Sequence, residues 1–145
     1  MKAFLEDANL PGEELVEQAA IRLPFTGSSG SWLCVARARE QQQQFVFYSI
    51  APVEIQRDLR GAAGEFFHRV NFGMIFGNFE FDTDDGEVRF KTVIDCQDTV
   101  LTDELMKPVV IGNVSTMNKY LPAIRAVNEG MSPIAAVELA EGRGQ

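Results

Sequence analysis

The sequence of 145 residues is poor in the side chains that build metal and redox sites, with one histidine and two cysteines. His68 has no second histidine and no cysteine at ligand spacing, so we interpret it as a structural or surface residue. Cys34 and Cys96 form no motif, which is typical of a reduced, cytoplasmic setting. No nucleophile elbow or phosphate-binding loop is present either. We therefore predict no catalytic residue, no cofactor and no metal.

Positive charge is also scarce, since 13 Lys and Arg against 21 Asp and Glu give a net charge of −8. This balance argues against nucleic acid and against an anionic membrane surface as partners. The longest stretch without a charged residue, 23–36, is shorter than the roughly 18 apolar residues of a membrane span. Glu6 and Asp7 interrupt the apolar run that a signal peptide needs. We expect an acidic cytoplasmic protein whose partners carry basic residues.

The composition that remains is that of an ordinary globular domain, with 46% hydrophobic and 23% charged residues. At roughly 150 residues per domain, the length predicts one domain over residues 1–145. Within it we expect residues 1–11 to be a leader segment and residues 141–145 to be a frayed tail.

Alternating apolar and polar residues predict four strands in two hairpins. The first hairpin joins residues 32–39 to 45–50 through a glutamine-rich turn, and the second joins 74–83 to 87–95. Asp84-Asp85-Gly86 forms the second turn, where glycine supplies a positive φ. The acidic residues around this turn do not match the register of an EF-hand loop, so we interpret them as a solvated hairpin tip.

Apolar residues at three- and four-residue spacing predict helices at residues 13–23, 53–72, 103–127 and 134–139. Pro52 is expected to open the second helix, and Pro122 to bend or interrupt the third. Gly61 and Gly64 suggest close packing of the second helix against a neighbour. The order α-β-β-α-β-β-α-α predicts an α+β fold, in which an antiparallel sheet built from two hairpins carries flanking helices.

Phenylalanine is concentrated in one region of the chain, between residues 66 and 90. We expect most of these rings to lie in the core. Their number exceeds what one sheet face readily hides, which favours a contribution to a dimer or partner surface. The seven residues are Phe66, Phe67, Phe72, Phe76, Phe79, Phe81 and Phe90.

Residues 45–52 and 66–82 resemble the YbjN-domain family of bacteria, and the resemblance continues through 85–91 and 117–122. Its most specific part is the Arg-x-Asn pattern at residues 69–71, followed by Gly-Asn-Phe-Glu at 77–80. The resemblance implies a fold similar to type III secretion chaperones, with a small antiparallel sheet, flanking helices and frequent dimers. It also implies a bacterial regulator or sensory-transduction protein without an established catalytic activity.

The matching segments supply eight candidate structural or partner-binding residues: Ser49, Pro52, Arg69, Asn71, Gly77, Asn78, Phe79 and Tyr120. We expect Ser49 to hydrogen-bond at the strand end or at the start of the next helix. Arg69 and Asn71 are expected to tie the helix end to the following hairpin. Arg69 and Asn78 stand in aromatic surroundings, which predicts that their polar groups are buried and satisfied.

Two classes of function are compatible with these features. The first is a non-enzymatic, chaperone-like or regulatory adaptor that binds a protein or peptide segment, basic in character, as a homodimer. The second is a small-molecule sensor, or an unrecognised enzyme, with a pocket between sheet and helices.

Overall fold

A six-stranded antiparallel sheet forms the centre of the computed structural model, which describes residues 1–142. The spatial order of the strands is β1-β2-β3-β4-β6-β5. Helices α2 and α3 pack on one face of the sheet, and α4 packs against both helices. The strands are β1 Glu13–Leu15, β2 Ala20–Gly27, β3 Gly30–Arg39, β4 Gln44–Ile50, β5 Asn78–Phe81 and β6 Val88–Asp95. The helices are α1 Lys2–Asp7, α2 Arg60–Asn71, α3 Asp103–Asn128 and α4 Pro133–Glu141.

The α+β class and the two predicted hairpins are confirmed. Strand β3 pairs with β4, and β5 pairs with β6, both antiparallel. Gly86 in the second turn has φ of +87°, as a tight hairpin requires. Strand β5 is shorter than predicted, because residues 74–77 form a connection rather than part of the strand.

The predicted helix over residues 13–23 is wrong, because this segment forms β1 and β2. Ile21 pairs with Ala36 and Leu23 pairs with Cys34, and all four side chains are buried. The apolar residues of β2 recur at a period of two, which overrides the three- and four-residue spacing that predicted a helix. Two strands are thereby added before the first predicted hairpin, so the sheet has six strands instead of four.

Helix α2 begins at Arg60, so the prediction that Pro52 opens it is wrong. Two backbone donors before the helix are engaged in tertiary hydrogen bonds that a helix over these residues would not allow. The amide of Ile55 donates to the carbonyl of Gly86 at 2.9 Å, and the amide of Gln56 donates to Oδ1 of Asn128 at 2.8 Å. Pro52 is exposed in the connection between β4 and α2.

Helix α3 is continuous over Asp103–Asn128, so of the predicted bend or interruption at Pro122 the interruption is wrong. A proline lacks the N–H that would bond to the carbonyl four residues earlier, here that of Asn118. This carbonyl instead accepts a hydrogen bond of 2.6 Å from the hydroxyl of Ser29 in the β2–β3 turn. Thr102 caps the helix as predicted, since its side chain accepts from the amide of Leu105 at 3.3 Å.

Two chain ends that we expected to be leader and tail carry regular structure. Residues 2–7 form α1, and Leu5 is 1% exposed within the core. Glu141 belongs to α4, which ends at Gly142. The remainder of the predicted tail, residues 143–145, lies outside the described residues.

Candidate functional site

The side chain of Asn71, the last residue of α2, connects this helix to β5. Its Nδ2 donates to the carbonyl of Phe79 at 3.0 Å, and its Oδ1 accepts from the amide of Phe79 at 2.8 Å. Asn71 therefore pairs with the outer edge of β5 as a neighbouring strand would. Nδ2 of Asn78 donates to the same carbonyl at 3.2 Å. Of the two residues expected to tie the helix end to the hairpin, Asn71 makes this connection, whereas Arg69 pairs within α2.

Phe79 and Tyr120 meet in an aromatic cluster beneath α2. The ring centroids of Phe79 lie 4.8 Å from Phe90, 5.3 Å from Phe67 and 5.5 Å from Tyr120. Phe79 is 3% and Tyr120 5% exposed, so both are core side chains. The hydroxyl of Tyr120 donates to Oε1 of Glu141 at 3.3 Å.

Gly77 precedes β5 at a point where no side chain fits. Its φ is +83°, and a Cβ atom would lie 2.6 Å from the carbonyl oxygen of Lys91. A residue with a side chain would therefore be strained and would clash with β6. Gly77 is thus a structural requirement for bringing β5 alongside β6.

Ser49 is fully buried and satisfies the indole of a neighbouring strand. Nε1 of Trp32 donates to its hydroxyl at 2.9 Å, and Sγ of Cys34 lies 3.5 Å from the same oxygen. We had expected this hydroxyl to bond at the strand end or at the start of the next helix. It bonds instead to Trp32 on the neighbouring strand β3. Burial raises the pKa of the Cys34 thiol to about 11, so this cysteine is a poor nucleophile.

The prediction that Arg69 is a buried polar residue is wrong. Its side chain is 45% exposed and pairs with Glu65, one turn earlier on α2, at 3.4 Å between Nε and Oε2. The aromatic residues before it face the core, whereas Arg69 faces the opposite side of the helix. His68 is exposed as well.

The apolar groove between α1 and α3, here called the α1–α3 groove, was missed by the sequence analysis. It measures about 610 Å³. Its floor is formed by Phe4, Leu10, Phe25, Val110 and Val114. Ile111 stands at its edge and is 50% exposed. Because the floor draws on α1, β2 and α3, no single segment of the sequence shows the groove.

The rim of the α1–α3 groove is acidic. Asp7 lies on the α1 side, and Asp103 and Glu104 lie in the first turn of α3, while Lys107 is the one cation in the lining. Three carboxylates against one ammonium leave a net charge of −2 around an apolar floor. This combination fits a ligand segment with apolar and basic side chains.

Helix α1, which forms one wall of the groove, is held in place by two contacts. Leu5 is buried in the core, and Nζ of Lys2 forms an ion pair of 3.0 Å with Oε2 of Glu14. The hydrogen bond to Glu14, together with its charge, raises the pKa of the Lys2 ammonium. The groove wall is therefore anchored to β1 as well as to the core.

Within residues 1–142, no three His, Cys, Asp or Glu side chains are grouped so as to hold a metal ion. None of the helices in this range has the length and apolar character needed to cross a membrane.

Several solved structures are similar to this chain at low sequence identity. The crystal structure of YbjN from E. coli, "a putative transcription regulator", matches with a TM-score of 0.57 at 15% identity, covering 80% of this chain and 82% of that chain. A chain of the ExsC-ExsE complex matches with a TM-score of 0.51 at 15% identity, covering 83% and 87%. The Yersinia Pestis type III secretion chaperone SycH, in complex with a stable fragment of YscM2, matches at 0.47 with 16% identity, covering 78% and 89%.

No curated protein matches the sequence of this chain. The YbjN family, described as "Putative bacterial sensory transduction regulator", matches residues 1–126. The resemblance seen in the sequence is thereby confirmed over most of its length, and the chain belongs to the YbjN family.

Proposed function

We propose that the protein is a non-enzymatic, homodimeric regulatory adaptor of the cytoplasm that binds a partner segment with apolar and basic residues. The observation that carries this proposal is the α1–α3 groove, with its apolar floor and acidic rim. The family description as a sensory transduction regulator supports a signalling role, and the ExsC-ExsE complex is a case of this fold in a complex.

A bound segment would use the groove in two ways. Apolar side chains would cover Phe4, Phe25 and Val114. Burial of this apolar surface stabilises the complex by about 25 cal/mol per Å². Basic side chains would approach Asp7 and Glu104 at the rim. An amphipathic helix presents both kinds of side chain at the required spacing.

A homodimer is supported by an exposed apolar patch between α2 and β5, here called the α2–β5 patch. It consists of Phe72, Ile75 and Phe76, which are 87%, 101% and 45% exposed. Large apolar side chains grouped in one short connection are typical of an interaction surface. These are two of the seven clustered phenylalanines, together with an isoleucine.

The alternative of a small-molecule sensor or enzyme is not favoured by any specific feature. This alternative requires a pocket between the sheet and the helices. In the structure that space is filled by core side chains. Phe47 and Phe90 from the sheet and Met117 from α3 are all fully buried there.

The groove proposal is tested with a labelled amphipathic helical peptide of leucine and lysine, measured by fluorescence anisotropy. We expect saturable binding, weaker at high salt, and no binding of the corresponding leucine–glutamate peptide. Ile111→Glu should weaken binding at least about tenfold, because the leucine side chains lose an apolar contact and would have to desolvate a carboxylate, which outweighs its attraction for lysine. The matched control Ile134→Glu changes an isoleucine of α4 that is 55% exposed and should leave binding unchanged.

Two results would contradict the proposal. One is equal affinity for the lysine and glutamate peptides, which would show that the acidic rim does not select the partner. The other is equal binding by the Ile111→Glu and Ile134→Glu variants, which would locate binding outside the groove.

A further inference from the structure

The face of the sheet turned away from the helices, here called the outward face, carries an apolar stripe. An antiparallel sheet with one side in water normally alternates apolar residues inward with polar residues outward. On this face Val46 of β4 lies between Arg37 of β3 and Val93 of β6. In the next row of paired residues, Val35 of β3 lies opposite Tyr48 of β4. The apolar residues of the stripe are Leu33, Val35, Val46, Tyr48, Ile50 and Val93.

The outward face also concentrates positive charge in a chain whose net charge is −8. Its cations are Arg22, Arg37, Arg39, Arg89 and Lys91, five of the 13 Lys and Arg. Four of them have partners on the sheet. Arg22 pairs with Glu13 at 2.6 Å, Arg89 and Lys91 pair with Glu80 at 2.9 and 3.2 Å, and Arg39 donates to Gln44 at 2.8 Å.

Arg37 is the exception among these cations. Among residues 1–142 its side chain has no hydrogen bond or ion pair, although it is exposed in the middle of the sheet. It borders a depression of about 850 Å³ that is also lined by Arg39, Lys91, Tyr48 and Val93. Two carboxylates, Glu17 and Glu40, belong to the same lining. The depression therefore combines an unpaired guanidinium with a few apolar side chains and two exposed carboxylates.

We propose that the outward face is a second docking surface, which binds an extended protein segment pairing an acidic residue with apolar ones. The carboxylate of the segment accepts two hydrogen bonds from the guanidinium of Arg37, the geometry that arginine favours. Its apolar side chains cover the half-buried Tyr48 and the exposed Val93. The depression has three cations against two carboxylates, whereas the α1–α3 groove has one cation against three carboxylates. The two surfaces lie on opposite sides of the sheet, so the adaptor would hold two different partners at once.

The chemistry of the face distinguishes this occupant from others. A nucleic acid presents an unbroken row of phosphates, which Glu17, Glu40 and the net charge of the chain repel. Base stacking is also poorly served, because the guanidinium of Arg89 covers the ring of Tyr48 at 4.8 Å. A second copy stacked face to face would bring two unpaired Arg37 guanidinium groups towards each other. A segment with one carboxylate among apolar residues carries far less negative charge than a row of phosphates and can place that carboxylate at Arg37, away from Glu17 and Glu40.

The test uses a fluorescein-labelled peptide of alternating valine and glutamate, with valine–lysine and oligothymidylate probes as comparisons. We expect the valine–glutamate peptide to bind the wild-type protein. Arg37→Glu should weaken this binding at least about tenfold, and Arg37→Ala should weaken it less. The matched control Arg57→Glu makes the same charge change at an exposed site outside the depression and should bind as wild type does. Ile111→Glu, the groove variant, should also bind the valine–glutamate peptide normally.

The proposal is overturned if the valine–glutamate peptide does not bind, or if Arg37→Glu and Arg57→Glu bind it equally. It is also overturned if oligothymidylate binds as tightly as the peptide, since the face would then recognise polyanions. A loss of peptide binding in Ile111→Glu as well would place the acidic segment in the groove. Binding of the leucine–lysine peptide tests the α1–α3 groove, and binding of the valine–glutamate peptide tests the outward face. Each proposal can therefore fail without the other.

Discussion

At the scale of single residues, Asn71 has the largest structural task of the eight residues selected from the sequence. Asn71→Ala removes both hydrogen bonds to the backbone of Phe79, so the amide of Phe79 loses its partner and its carbonyl keeps only the 3.2 Å bond from Asn78. We expect the free energy of unfolding to fall by about 1–3 kcal/mol. Urea denaturation followed by circular dichroism measures the loss.

Arg69→Ala provides the control for this experiment, two residues earlier on the same helix. It removes a half-exposed ion pair with Glu65, which contributes only about 0.3–0.5 kcal/mol at such a position. Equal losses for Asn71→Ala and Arg69→Ala would contradict the assignment of the helix–hairpin connection to Asn71.

The Cys34 thiol should be protected from alkylation in the folded protein. Burial raises its pKa from 9.0 to about 11, and the thiolate is the reactive form. Because the folded pKa is raised, the stability associated with the neutral thiol is present below pH 9.0 and is lost as pH rises towards 11. In a Cys96→Ser variant, mass spectrometry after iodoacetamide treatment should show Cys34 modified only when urea unfolds the chain. Rapid modification without urea would disprove this prediction.

At the scale of elements, two glycines of α2 lack the packing that the sequence suggested. No atom beyond the helix lies within 4 Å of a Cβ placed at Gly61 or Gly64. Gly61→Ala and Gly64→Ala should therefore each raise the free energy of unfolding by about 0.5–1 kcal/mol, because alanine favours the helix and restricts the unfolded chain. Thermal unfolding by calorimetry measures the gain.

Gly77→Ala is the matched comparison and should destabilise the protein, because the alanine would need φ of +83° and would clash with Lys91. If Gly61→Ala or Gly64→Ala lowered stability instead, that face of α2 would have to be covered in solution, for example by a second copy of the chain.

The elements that the sequence predicted well are those whose pattern has one interpretation. The hairpin around Gly86 combines alternation with a turn that only glycine suits, and Thr102 with its following acids indicates a helix start. Residues 13–23 failed because their apolar positions fit both periods, and only pairing with β3 decides between them. Likewise, α2 starts late because Ile55 and Gln56 bond to distant residues, which no local pattern reveals.

At the scale of the whole molecule, we expect a homodimer in dilute solution. Light scattering coupled to size exclusion should give twice the chain mass of 16.1 kDa. Phe72→Glu combined with Ile75→Glu should shift the mass towards the monomer, because both side chains are exposed in the proposed contact. A mass of 16.1 kDa for the wild type at every concentration would refute the dimer.

The candidate surfaces were less predictable than the fold because each is assembled from distant segments. Net charge alone indicated partners with basic residues, and it could not show that cations gather on one side of the sheet. The spacing of Arg37 and Arg39 on β3 indicates that they share one face of the sheet. Whether Arg37 has an acidic partner depends on the positions of Glu17 and Glu40 in the folded chain, which the local sequence does not reveal. The rim of the α1–α3 groove similarly joins Asp7 to residues far along the chain.

The short turn between β2 and β3 has a consequence for the rate at which the protein unfolds. Ser29 bonds to Asn118 across 89 positions of sequence, so this contact closes a long loop and forms only after α3 has packed on the sheet. Interactions absent from the folding transition state change unfolding rates rather than folding rates. Ser29→Ala should therefore accelerate unfolding while leaving refolding nearly unchanged, which makes the turn a determinant of how long the folded protein persists.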